Sequence, residues 1–132
     1  MFNRGLASGL VCIGGGLVAL GFALFPGTAQ AGCTVTVEDP RAHRIAGQRT
    51  IVGYGNRGID CKEKKIFHVR LRQHRTLWPD KTLAEVRFTL SNARLGVRYV
   101  CRGAGTKAIF TEAWVEGDTK YKSRYKEFEA CG

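Results

Sequence analysis

Four cysteines, Cys33, Cys61, Cys101 and Cys131, follow residue 31 of this 132-residue chain, and a fifth, Cys12, precedes it. A cysteine acts as a nucleophile or metal ligand only as the thiolate, and cysteines joined in pairs have none to offer. Beyond residue 31 the serines are Ser91 and Ser123, and neither stands in a Gly-x-Ser-x-Gly elbow of the kind that presents a serine nucleophile. Glu85, Glu112, Glu116, Asp60 and Asp80 could supply acid–base chemistry, but no spacing among them brings two carboxylates together in a dry cleft. His68 and His74 share strand parity yet lie about 20 Å apart along an extended chain, and His43 is more distant still in sequence, so no metal-ligand spacing results. The expectation is a protein without catalytic residues, metal or cofactor.

The residues suited to binding are more numerous. Lys62, Lys64 and Lys65 follow Cys61, Arg70 and Arg72 occupy the polar face of the next alternating stretch together with His68, and His74 and Arg75 end it. Such a stripe attracts polyanions, an acidic surface or a cell-wall polymer, in a salt-dependent way. It would equally serve as the charged decoration that keeps a sheet edge from aggregating. Trp78, in Leu77-Trp78-Pro79-Asp80, sits in a turn where an indole either folds over the end of the domain or is offered to a partner. Tyr54 and Arg57 lie in Gly53-Tyr54-Gly55-Asn56-Arg57-Gly58, which reads as a turn-rich loop with the composition of a recognition site or of a tight crossover. Trp114 alternates with Phe110 and Glu112 and is expected to pack in the core.

The elements that must position these residues begin after an export signal. Leu6 to Phe25 carries no charge, Arg4 precedes it, and Ala29-Gln30-Ala31 offers the small-x-small pattern of a cleavage site, so residues 1–31 read as a signal peptide and 32–132 as the secreted domain. Cleavage removes Arg4 and Cys12, leaving 20 of the 21 basic residues, all 11 acidic ones and an even number of cysteines. No integral membrane segment would remain. An even cysteine count in a short exported chain implies two disulfides. At 44% hydrophobic residues the chain is too apolar for disorder, and its 17 glycines follow no Gly-X-Y period.

Within the secreted part the dominant period is two. Thr34 to Val37 and Thr50 to Val52 are β-branched runs, Phe67, Val69 and Leu71 alternate with His68, Arg70 and Arg72, and Ala84 to Leu90 and Leu95 to Tyr99 alternate likewise. The fold class is therefore all-β, an antiparallel β-sandwich of about seven strands. Gly117-Asp118 between Lys107–Glu116 and Thr119–Phe128 suggests a type II′ hairpin turn. That register sets Cys131 opposite Ala104 and favours Cys101 paired with Cys131, which leaves Cys33 for Cys61.

Cys33, Ile51-Val52-Gly53-Tyr54-Gly55, Cys61, Leu77-Trp78-Pro79, Cys101 and the closing hairpin from Phe110-Thr111-Glu112-Ala113 to Cys131 together resemble the small secreted two-disulfide immunoglobulin-like β-sandwich proteins of filamentous actinobacteria. Among these, the adaptor subunits of umbrella toxin particles are similar in size and architecture. The resemblance implies a protein that joins other secreted subunits through exposed strand edges and an N-terminal extension, although here Cys33 follows the expected cleavage site almost at once. The expected function is thus a non-enzymatic extracellular protein-binding module, an adaptor or accessory subunit of a toxin-type complex. A free basic antimicrobial or cell-wall-binding effector is the alternative, followed by a secreted protease inhibitor for which no reactive-site sequence stands out. Specific nucleic-acid recognition is not expected, since the chain is read as exported and has no reading helix.

Overall fold

Proline at position 40 has no N–H to give to a ladder, and the first edge of the domain is interrupted there. In the computed structural model, which describes residues 33–131, β1 (Val35–Val37) and β2 (Arg41–Ile45) lie end to end on the same side of the long strand β3 (Gln48–Arg57). On the other side of β3 runs β6 (Ala93–Val100), completing a three-position sheet. The second sheet has β5 (Lys81–Leu90), β4 (Lys65–His74) and β7 (Thr106–Val115) in that order, with the short β8 (Tyr121–Lys122) and β9 (Lys126–Glu129) sharing its far edge. Nine segments thus fill seven strand positions, all paired antiparallel. The all-β two-sheet architecture expected from the alternation is present. The region read as a signal peptide, 1–31, lies outside the described residues.

The alternating stretches become strands because each has one face to bury. Phe67, Val69 and Leu71 of β4, with Ile109, Ala113 and Val115 of β7, face Ile51 of β3 and Val97 of β6 across the core. Full burial of a side chain of this size contributes about 1.5–3 kcal/mol. The sheets approach closely where β3 has no side chains. A Cβ at Gly53 would stand 2.6 Å from Thr111 Oγ1, and one at Gly55 would stand 2.8 Å from both Ala113 Cβ and Val69 Cγ2.

This corrects the reading of Gly53 to Gly58 as a loop. Residues 53–57 continue β3 in register with β6, and their glycines are the inward positions of a central strand rather than turn formers. A hairpin turn lies elsewhere, at Ala46-Gly47, where both residues have positive φ (51° and 77°) as a type I′ turn requires.

The closing hairpin also turns one residue earlier than expected. The Asp118 N–H donates to the Val115 carbonyl at 2.8 Å, so Glu116 and Gly117 are the central pair, and Gly117 (φ 86°) takes the second position as in a type II turn. The return strand then slips by one residue before β8 and by one more between β8 and β9. Glu112 accordingly faces Lys122 while Phe128 faces Lys107. The two slips restore the expected register at the far end, where the Cys131 N–H donates to the Gly105 carbonyl at 3.1 Å. The disulfides are Cys33–Cys61 and Cys101–Cys131, with separations of 28 and 30 residues, as the register argument favoured. Loops of that length are worth about 3–4 kcal/mol each in the chain-entropy treatment. Two bridges in a small β domain suit an oxidising, extracellular setting.

Candidate binding surfaces

The most exposed apolar pair among the candidates is carried by the β4–β5 loop. Leu77 is 87% exposed and Trp78 69%. Beneath them the loop is held by Asp80. Its carboxylate accepts from the Arg75 backbone N–H at 3.4 Å and stands 3.2 Å from His74 Nδ1, while its carbonyl accepts from Arg72 at 2.8 Å. Arg75 Nε–H closes the loop onto the Pro79 carbonyl at 3.0 Å, and the His74 ring stacks on Tyr125 with centroids 4.8 Å apart. Trp78 is therefore not folded over the end of the sandwich. It is presented to solvent beside Leu77 on a fixed base ringed by Arg72, His74 and Arg75.

The lysine and arginine stripe is placed along β4, but its middle is neutralised. Arg70 donates to Glu112 at 2.7 Å and lies 3.8 Å from Glu85, and Arg72 stands 3.7 Å from Glu112. Glu112 is buried, a position it can hold only because two guanidiniums meet it. Lys62 and Lys64 remain exposed in the β3–β4 loop, with Lys65 3.3 Å from Glu63, whereas Arg75 is at the opposite end of the ten-residue strand, about 33 Å away. The candidates form two basic ends, not one continuous stripe.

The same outer face explains Trp114. It does not enter the core between the sheets. Its register places it opposite His68, whose ring stacks on it in parallel at 4.6 Å, with Arg70 and Lys120 over it at 4.6 and 5.1 Å. His68 Nε2 stands 2.5 Å from Glu116 Oε1, and its Nδ1 is 3.5 Å from Glu85 without a well-aligned hydrogen bond. Glu85 and Glu116 therefore stand on the two nitrogens of one imidazole, and Glu85 and Glu112 on one guanidinium, so Glu85 gathers with two carboxylates far from it in sequence on this outer face, around His68 and Arg70. Among the described residues no group of three His, Cys, Asp or Glu is placed to hold a metal ion, and no helix is long and apolar enough to cross a membrane.

Tyr54 and Arg57, expected together in a flexible loop, are separated by the strand. Tyr54 lies on the outer face of the three-position sheet, over the space left by Gly96, with the Arg94 guanidinium 3.6 Å from its ring centroid. Arg94 in turn grips Glu38 with two bonds of 2.8 Å, and Asn56 adds a third at 3.1 Å. The Arg94 bonds hold the Glu38 carboxyl below its usual value despite partial burial, and Glu38 raises Arg94. Arg124 lowers Asp39 in the same way. Asp60 is also lowered, the Thr34 hydroxyl and N–H outweighing an opposing desolvation. Arg57 points inward at the end of β3. It is buried, donates to the Glu63 and Leu90 carbonyls at 3.0 and 2.8 Å, and lies 3.2 Å from Cys33 Sγ. It closes that end of the sandwich and is not available to a partner.

One set of cations has no counterpart in the sequence reading. Arg41 and Arg98 flank Val52 in register on the outer face, where His43 also lies opposite Thr50, while Arg44 stands opposite Arg49 with the other parity, that of Ile51, at the end of the sheet. Ala42, His43, Arg44 and Arg49 line a shallow depression. Among the described residues none of these arginines takes part in an ion pair. The grouping is invisible in one dimension because it depends on two strands on either side of β3, about 50 residues apart in the chain.

Comparison with known protein families, with characterised proteins and with solved structures found no match to this chain.

Proposed function

We propose that this is a secreted, non-enzymatic protein-binding module, an adaptor or accessory subunit of an extracellular assembly of the toxin type. The observation that carries the reading is Leu77 and Trp78 held in solvent on a loop braced by Asp80. A large apolar pair on a preorganised base, rimmed by Arg72, His74 and Arg75, has the make-up of an interface anchor for a partner with an apolar pocket and an acidic border. The proposal extends to an immunoglobulin-like class for the sandwich, supported by its division into three and four strand positions. The resemblance to umbrella-particle adaptors gives the same direction, with exposed strand edges as a second means of contact.

A second reading, a free basic antimicrobial or wall-binding effector, is favoured by one specific observation. Arg41, Arg44, Arg49 and Arg98 carry positive charge on one sheet without ion-pair partners among the described residues.

Substitution separates the two. Trp78→Ala and Leu77→Ala remove exposed groups and should leave the melting temperature unchanged, while each weakens partner binding by about 2 kcal/mol, roughly thirty-fold. Unaltered association with the native partner in both variants would reject the adaptor reading at this loop. If instead only an Arg41→Ala/Arg98→Ala variant lost its target, and that target were an anionic surface, the effector reading would stand.

A further inference from the structure

The four-position sheet ends on β5 with nothing paired to its outer edge among the described residues. This edge is ten residues long and contains no proline. Its inner-face residues also project past the narrower opposing sheet. Phe88 faces inward, in register with the fully buried Phe67, yet is 59% exposed. An apolar residue of this size on an open strand edge is the arrangement that natural sheets ordinarily avoid or cover.

We infer that β5 pairs antiparallel with β5 of a second copy of this chain, about a two-fold axis at Val86. The inference rests on the edge reading itself. Face continuity requires inward residues, Ala84, Val86 and Phe88, to meet inward residues of the partner, because a one-residue slip would set them against the outward set. Among registers that satisfy this, centring on Glu85 puts two carboxylates opposite each other, and centring on Arg87 puts two guanidiniums opposite each other. Centring on Val86 sets Glu85 opposite Arg87 twice, once on each side of the axis, and sets Phe88 over Ala84 of the other copy. Registers centred on Ala84 or Phe88 form neither charge pair and leave Arg87 facing Lys81 or Thr89. Charges that served only to repel neighbouring edges would be of one sign, whereas this pattern is self-complementary, as an isologous interface demands. The result is one continuous sheet across two molecules, with main-chain bonds giving affinity and the two charge pairs selecting register. It goes beyond the adaptor reading and uses none of the residues of the Leu77–Trp78 loop.

The test is sedimentation velocity on purified protein across a concentration series. Wild type should show a monomer–dimer equilibrium. Arg87 is exposed and makes no ion pair among the described residues, so Arg87→Glu should fold normally. It should raise the dimer dissociation constant about ten-fold or more, since both symmetric pairs become repulsive. Glu85→Arg should do the same, and an equimolar mixture of the two variants should dimerise again, because each new charge then faces its opposite. A wild-type protein monomeric at every concentration, or a dimer indifferent to Arg87→Glu, would overturn the inference. Should Glu85→Arg fail to fold, as its contacts with Arg70 and His68 could cause, the Arg87→Glu comparison decides alone.

Discussion

Replacing Gly55 by alanine tests whether the glycines of β3 are there for sheet-to-sheet approach. The added Cβ would meet Ala113 Cβ and Val69 Cγ2 at 2.8 Å and Phe67 Cζ at 3.2 Å. Ala113 Cβ is fixed to the backbone of a central strand, so relief requires the sheets to part, not a side chain to swing away. Overpacking of this kind costs about 1–3 kcal/mol. Alanine also restricts the unfolded chain, which returns about 0.4–1 kcal/mol. A net loss of about 1–2 kcal/mol lowers the melting temperature of a domain of this size by about 4–16 °C. Thermal unfolding followed by circular dichroism measures it directly. Ala113→Gly in the same chain removes the principal clash, so the double variant should recover part of the loss, a coupling that a double-mutant cycle isolates. An unchanged melting temperature for Gly55→Ala would refute the close approach and restore Gly53 to Gly58 to the loop that its composition suggests.

Glu38 and Asp39 are held below their ordinary values by Arg94 and Arg124, so the stability they add is complete above the unfolded carboxylate range, about pH 4, and is lost as pH falls through their lower native values. Glu38→Gln should melt lower than wild type at pH 6, the gap closing toward pH 2; a gap that is constant across that range would contradict the assignment. Removing the Cys101–Cys131 bridge as a double serine variant should cost about 3–4 kcal/mol of unfolding free energy in urea titration, a large part of a typical 5–15 kcal/mol, and a loss below about 1 kcal/mol would show that β9 is held without it.

The strands with one buried and one polar face could be read directly from their central stretches, Phe67 to Leu71 of β4, Ala84 to Leu90 of β5 and Leu95 to Tyr99 of β6, although the alternation lapses toward their ends and the β4–β5 register shifts after Leu71. The disulfide pairing was also legible, though by compensation. The turn at Glu116-Gly117 comes one residue early, and the irregularity around Ser123, whose N–H and Oγ both bond to the Thr111 backbone, carries the strand back into register. Two features were hidden by local chemistry. Gly53 and Gly55 carry the composition of a loop, and only their period-two placement between Ile51 and Arg57 hints at an inward-facing strand. The Ala46-Gly47 turn lacks the Asn-Gly or Asp-Gly that marks a type I′ hairpin, so β2 left no trace in the sequence reading. Of the binding candidates, the turn that carries Trp78 could be read from Leu77-Trp78-Pro79-Asp80 because proline and aspartate favour one there, whereas the exposure of its indole had no local signal. Burial of Arg57 and neutralisation of Arg70 and Arg72 by Glu112 depend on neighbours 33 to 42 residues away and have no local signal.

Size-exclusion chromatography of culture medium from cells that express the native protein, run in low salt and again in high salt, tests the proposed adaptor function most directly. The adaptor reading predicts co-elution with a second secreted protein in fixed stoichiometry at both salt concentrations, and loss of that co-elution in Trp78→Ala. Elution of wild type without any partner protein in low and high salt alike, or an association that high salt abolishes while Trp78→Ala leaves it intact, would contradict it.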